Sequence, residues 1–159
     1  MNLELIKPKE FTLKIGRKEY PIRFTLESFA YLEGVFGSVE NAINTFNERN
    51  QEAIIAFLIA GLKLDDANMI SKINIDENLI LLLAEVIQDA LPDDYKFDEN
   101  WDWSLLYYII RPALNLNEDE FWNSTPKKLT SFIRILEKQK EQHEKINNQD
   151  QAVEAFKSW

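Results

Sequence analysis

The 159-residue chain contains no cysteine, which excludes disulfide frameworks, thiolate zinc sites and thiol nucleophiles while leaving the redox compartment open. Histidine is almost as scarce: His143 stands alone, so a metal site built on two imidazoles is excluded. Glycine is rare, and Gly34 and Gly37 lack both the strand-turn-helix setting and the lysine of a phosphate-binding loop. Positive charge is short too. Eighteen Lys and Arg against 27 Asp and Glu leave a formal net charge of −9, which disfavours binding to a phosphate backbone. Long hydrophobic runs are missing: the longest, Ala53 to Leu62, ends at Lys63 and has about half of the ~20 residues a membrane-spanning helix needs. Residues 1–8 have no basic n-region, long apolar segment or small-residue cleavage site, so no secretory signal is visible. The expectation is a cytoplasmic protein with neither nucleic acid nor membrane as a partner.

What the chain does have is apolar residues, 45% of the total, in a length sufficient to bury a core without staples. Phe11, Leu13 and Ile15 alternate with Thr12 and Lys14. After the polar run Gly16-Arg17-Lys18-Glu19, the alternation resumes at Tyr20, Ile22 and Phe24. A period of two on both sides of a glycine-containing turn predicts a β-hairpin with one buried face. Pro21 has no N–H to donate, so its strand belongs at an edge.

Helical spacing takes over after Thr25, a candidate cap. Leu26, Phe29, Ala30 and Phe36 share a face, and Gly37 stands at the natural stop. Ser38 predicts the cap of a second short helix with Val39, Ala42, Ile43 and Phe46 inward. Asn50 opens a third, Gln51 to Leu62, whose Ile54, Ile55, Phe57, Leu58 and Ile59 cover more than one face and predict a central position. Asn74 with Glu77 matches a capping box ahead of Leu79, Ile80, Leu83, Val86, Ile87 and Ala90, with Pro92 as the stop. Leu81 and Leu82 widen that stripe, so this helix is expected to be central or to present apolar surface to a partner.

Further on, Trp101 to about Arg111 is expected to be helical and to stop near Pro112. Asn117 with Glu120 is a second capping-box pattern, leading into Phe121-Trp122, and Thr125-Pro126 is a cap with proline at the first helical position. Leu129, Phe132, Ile133 and Leu136 form one narrow stripe, after which Glu137 to Lys145 has no apolar residue and is expected to project into water. Val153, Phe156 and Trp159 restore an amphipathic pattern, set apart by the polar run Asn147 to Gln151. The fold class is mainly α (α+β): an N-terminal β-hairpin, a bundle of about six or seven short-to-medium helices, and a long C-terminal helix.

Composition changes at residues 92–100. All four glycines lie at or before Gly61 and all four tryptophans at or after Trp101, which divides the chain into an N-terminal unit, residues 1–95, and a helical extension, residues 96–159. The acidic excess sits in the middle: residues 26–100 hold 15 acidic and four basic groups, whereas residues 127–159 hold five and seven.

No catalytic constellation assembles from these residues. His143 lies in the polar run Glu141-Gln142-His143-Glu144 with no apolar neighbour to pack it beside a nucleophile, so it belongs to a solvated helix face. The carboxylates Asp93, Asp94, Asp98, Glu99 and Asp102 lack the ligand spacing of a calcium loop and the apolar pocket of an acid catalyst, and form a solvated acidic linker. Trp101 and Trp103, with Tyr107 and Tyr108, are of a type that stacks bases or sugars, but acidic flanks argue against nucleic acid. Core packing and a protein-binding surface remain. The expectation is a non-catalytic binding protein with no metal and no cofactor.

The hairpin segment Phe11 to Thr25, with Phe29-Ala30-Tyr31-Leu32-Glu33 and Phe57-Leu58-Ile59-Ala60-Gly61-Leu62, resembles the tail assembly chaperones of long-tailed phages. Trp101-Asp102-Trp103, Tyr107-Tyr108-Ile109-Ile110 and Glu120-Phe121-Trp122-Asn123-Ser124-Thr125-Pro126-Lys127-Lys128-Leu129 resemble the C-terminal part of the longer chaperone products. In that family a short and a long form are commonly made by programmed ribosomal frameshifting. The resemblance implies binding to the tape measure protein, which is kept soluble while tail tube subunits polymerise around it. It implies the tail tube (major tail) protein as a second partner and leaves a homo-oligomer open. Trp101, Trp103, Tyr107, Phe121 and Trp122 are the expected partner-binding residues. Two rival readings are a structural tail completion or connector protein and an acidic DNA-mimic inhibitor. The residues from Asn147 to Trp159 match no pattern of the family.

Overall fold

Strands β1 (Phe11–Ile15) and β2 (Lys18–Ile22) pair antiparallel in the computed structural model, which describes residues 9–64, 67–96 and 101–157. Phe11 faces Ile22, Leu13 faces Tyr20 and Ile15 faces Lys18. The turn is Gly16-Arg17 alone, two residues shorter than the polar run suggests, because Lys18 and Glu19 pair with Ile15 and Lys14. Gly16 adopts φ 64°, a left-handed conformation that glycine enters without steric penalty. In this two-stranded sheet both strands are edges, which accommodates the exposed Pro21.

Four helices build the core beneath the hairpin: α1 (Leu26–Phe36), α2 (Val39–Asn47), α3 (Gln51–Leu62) and α4 (Glu77–Ala90), with a 3-10 helix, Ala67–Lys72, before α4. Thr25, Ser38 and Asn50 cap α1, α2 and α3 as their side chains dictate, and Gly37 closes α1 at φ 82°. At α1 the box is closed by serine rather than glutamate. Ser28 Oγ accepts the Thr25 N–H at 3.1 Å and donates to the Ala60 carbonyl at 3.0 Å, fastening α1 to α3. Helix α3 is central as expected, with Ala53, Ile54, Ala56, Phe57, Leu58, Ala60 and Gly61 buried.

Gly61 is where α3 meets the hairpin. A Cβ there would stand 3.0 Å from both Ile22 Cγ1 and Phe24 Cζ, and the Gly61 carbonyl accepts the Arg23 N–H at 2.9 Å. Phe24, Phe29, Phe46 and Phe57 pack at the centre, with Phe57 tilted 4.9 Å from Phe46 and edge-on 5.6 Å from Phe24.

The cap of α4 is Asp76, not Asn74. The Asp76 carboxylate accepts the Leu79 N–H at 3.0 Å, while Asn74 donates to Asp76 Oδ2. A box through Glu77 does not form because Glu77 is the first residue of the helix rather than the third after its cap, and Arg49 holds it in a two-pronged ion pair. Leu79, Leu83, Val86, Ile87 and Ala90 of α4 face the core and Leu81 is exposed, so this helix is amphipathic and peripheral.

The C-terminal part continues with α5 (Trp103–Leu105), a π-helical turn (Leu106–Ile110), α6 (Arg111–Ala113), α7 (Glu118–Trp122) and α8 (Pro126–Lys157). The helix stops near Pro112, as expected: Pro112 lies inside the last turn, Ala113 is the last helical residue, and Asn115 takes φ 54° just beyond it. Asn117 and Glu120 form the expected reciprocal box on α7, and Thr125 Oγ1 caps α8 by accepting the Lys128 N–H at 3.2 Å. Helix α8 runs through Asn147 to Gln151 without a break, since that polar run contains neither glycine nor proline to interrupt it. Of the expected C-terminal apolar residues, Val153 is exposed, whereas the Phe156 side chain and Trp159 lie outside the described residues.

A second, smaller cluster joins the two parts of the chain: Leu26, Phe121 and Leu129 are buried together. The first N–H of α1, at Leu26, donates to the Ser124 carbonyl at 2.9 Å, so the C-terminal part satisfies a donor that a helix start leaves open. Among the described residues, no helix is long and apolar enough to cross a membrane.

Candidate functional site

The five aromatic residues singled out in the sequence converge. Trp101 packs on Phe29 at 5.2 Å and on Trp103 at 5.3 Å. Trp103 reaches Trp122 at 6.1 Å, and Trp122 stacks on Tyr107 at 5.9 Å and meets Phe121 edge-on at 5.0 Å. The result is one ladder of rings from α1 to α7.

Polar groups pin this ladder in place. Trp101 Nε1 donates to Tyr95 Oη at 2.7 Å and Trp103 Nε1 to Glu33 Oε2 at 2.6 Å, so both indoles satisfy their only donor inside the protein. Tyr107 Oη donates to Glu118 Oε1 at 3.1 Å, a bond that raises the phenol above its ordinary ionisation range, and the Arg111 guanidinium lies 4.7 Å over the Tyr107 ring. Phe121 is fully buried and acts as the floor. Trp101, Trp103, Tyr107 and Trp122 are half-buried.

Bulky apolar surface is presented instead by three neighbours absent from the expected set: Leu105, Tyr108 and Ile109, with Tyr108 70% exposed. Their position follows from the π-helical turn. A proline ring at 112 crowds the carbonyl four residues back, at Tyr108, and the ladder widens so that the Arg111 N–H bonds to the Leu106 carbonyl, five residues back. That extra residue swings Tyr108 and Ile109 outward while Tyr107 and Ile110 stay on the cluster. The run Leu105-Leu106-Tyr107-Tyr108-Ile109-Ile110 carried a signal of this, because six consecutive apolar residues cannot all face one core from a helix.

Beside this ridge lies a groove of about 560 Å³, lined by Leu26, Trp101, Leu105, Leu106, Leu129 and Ile133. The Asp94–Arg134 ion pair, 2.6 Å, forms part of its lining, and Asp93 holds Lys127 at 2.9 Å. The acidic linker is therefore a clamp on the first turns of α8 rather than a free solvated run, while Asp98 and Glu99 lie outside the described residues. Asp102 caps α5 through the Leu105 N–H. His143 is exposed on α8. Among the described residues no group of three acidic or histidine side chains is placed to hold a metal ion.

Arg134 holds the Asp94 carboxyl below the usual carboxylate range, and Arg49 does the same for Glu77. A carboxylate with a lowered folded-state pKa contributes stability above its unfolded pKa and loses it as pH falls through the folded value. Asp94→Asn and Glu77→Gln are each expected to flatten the decline of stability below about pH 4. Urea titrations at several pH values check this, and both pairs are exposed, so the effects are modest.

No family model, curated protein or solved structure matches the chain.

Proposed function

We propose that the chain is a tail assembly chaperone of a long-tailed phage or prophage, in the longer form with the C-terminal part. It binds the tape measure protein, keeps it soluble and helps recruit tail tube subunits. The reading rests on the resemblance of the hairpin and of the segment Glu120 to Leu129, and the observation that supports it most is the exposed ridge Leu105, Tyr108 and Ile109 beside a groove lined mostly by apolar side chains. A tape measure chain carries repeated apolar helical stripes that aggregate before the tube covers them. An amphipathic helix laid in the groove, against the ridge, covers such a stripe with few directional demands. Affinity per contact is moderate, repeated along the client, so that tube subunits later displace the chaperone. The net charge of −9 keeps a protein with exposed apolar surface in solution.

The DNA-mimic reading requires a row of unpaired carboxylates along one face. Glu27, Glu77, Asp93 and Asp94 are each engaged by a lysine or arginine, which weighs against it.

Co-expression with the tape measure protein tests the proposal. The double variant Tyr108→Ser/Ile109→Ser is expected to lower the soluble client severalfold while leaving the circular dichroism of the chaperone unchanged, because both side chains are exposed. Trp103→Ala and Trp122→Ala are expected to lower it as well, through loss of the ladder that supports the ridge. If all three variants solubilise the client normally, the binding surface has been assigned wrongly.

A further inference from the structure

The distal part of α8 is polar and uncovered: from Glu137 to Glu154 every side chain the structure describes is exposed. Helical stability in proteins comes mostly from packing one face, and among the described residues no side chain of this segment is buried. Its internal charge pairs are mixed: Lys140–Glu144 and Glu141–Lys145 attract at i,i+4, Glu137–Glu141 and Asp150–Glu154 repel at the same spacing, and between Ile146 and Glu154 only the repulsive pair is left.

Two exposed aliphatic side chains interrupt the polar surface, Ile146 and Val153, and they lie seven residues apart on one face. Stepping back by sevens puts Gln139 and Phe132 on the same line. Leu136, His143 and Asp150 form the adjoining line, which completes a heptad seam along the free part of the helix.

We propose that two copies of the chain pair antiparallel through this seam of α8. The register that sets Val153 against the partner's Leu136 also sets Ile146 beside the partner's His143 and Asp150 against the partner's Gln139, which can hydrogen-bond. In that same register Lys140 lies across from the partner's Glu154 on the flank of the seam, and the two-fold axis repeats the pair. A parallel alignment stacks Asp150 on its own copy, placing like charges in the seam, and brings no opposite charges together across the flanks. Self-complementary charge singles out a second copy as the occupant. Antiparallel pairing carries the two globular bodies to opposite ends of a shared segment about 30 Å long. The proposal stands independently of the chaperone reading.

Sedimentation equilibrium on the full chain is expected to approach twice the 18.7 kDa chain mass at about 100 μM. Lys140→Glu is expected to weaken dimerisation roughly three- to tenfold, the effect of two symmetry-related exposed pairs, and Lys140→Glu/Glu154→Lys to restore it. Ile146→Asp/Val153→Asp is expected to give a monomer. Because the chain has no cysteine, direction is read by cross-linking: a mixture of Leu136→Cys and Val153→Cys is expected to form the mixed disulfide in preference to either homodimer. A chain that remains monomeric at about 100 μM, a charge reversal without rescue, or a preferred homodimer of Val153→Cys each overturns the proposal.

Discussion

Phe57→Ala is expected to lower the free energy of unfolding by about 3–5 kcal/mol, the range for removing a fully buried aromatic side chain. Phe57 is 0% exposed at the centre of α3, between Phe24 of the hairpin exit and Phe46 of α2. The hole it leaves cannot close by a simple shift. Gly61, one helical turn further on, leaves no space for even a Cβ against Ile22 and Phe24, so α3 has little room to move toward the hairpin. Native stabilities of about 5–15 kcal/mol leave little after such a loss. Urea unfolding followed by circular dichroism checks the figure, and a loss below about 1.5 kcal/mol is what a site that repacks freely gives.

Phe121→Ala is expected to remove a comparable ~3–5 kcal/mol, but with a different distribution. Phe121 belongs to the small cluster with Leu26 and Leu129, and its ring supports Tyr107 at 5.7 Å and Trp122 at 5.0 Å. Its removal loosens the floor of the ladder while the Phe24, Phe29, Phe46 and Phe57 packing stays intact. Hydrogen exchange is the measurement that separates the two variants. Protection is expected to fall in α5 to α7 and the first turns of α8 and to persist in α1 to α4, whereas Phe57→Ala lowers it throughout. Equal loss everywhere in Phe121→Ala marks a single cooperative unit in which the second cluster has no separate stability.

The starts of α1, α2, α3, α7 and α8 were legible in the sequence because each depends on groups within four residues of one another, and the hairpin because its two alternating strands adjoin one short turn. Thr25, Ser38, Asn50, Asn117 and Thr125 carry the side-chain oxygen that a helix start needs, and Gly37 carries the freedom that a helix end needs. The same local rule misplaced the start of α4. Asn74 fits the capping-box spacing, but Asp76 offers a carboxylate two residues later, the helix starts at Glu77, and Glu77 pairs with Arg49, 28 residues earlier. Pro112 marks the end of its helix to within one residue, at Ala113, but the π-helical turn ahead of it leaves no mark in a pattern of period 3.6.

The candidate site divides in the same way. That Trp101, Trp103, Tyr107, Phe121 and Trp122 matter together was readable from their density in one segment. That four of them brace the surface from within and Phe121 floors it was not, since this depends on Glu33 and Tyr95 receiving the indole donors and on Leu26 closing the cluster.

Sequence by itself determined the class of fold, the hairpin and most helix boundaries, and the absence of thiol and two-histidine chemistry. Those follow from backbone hydrogen bonding and side-chain inventory, which act over a few residues. Tertiary structure alone decided that the acidic linker clamps α8, that Trp101 and Trp103 are held by Phe29 and Glu33 of α1, and that Phe121 closes against Leu26. Each of these turns on which surfaces meet across 30 residues or more, and a pattern of period two or 3.6 says that a face is apolar without saying what will lie against it.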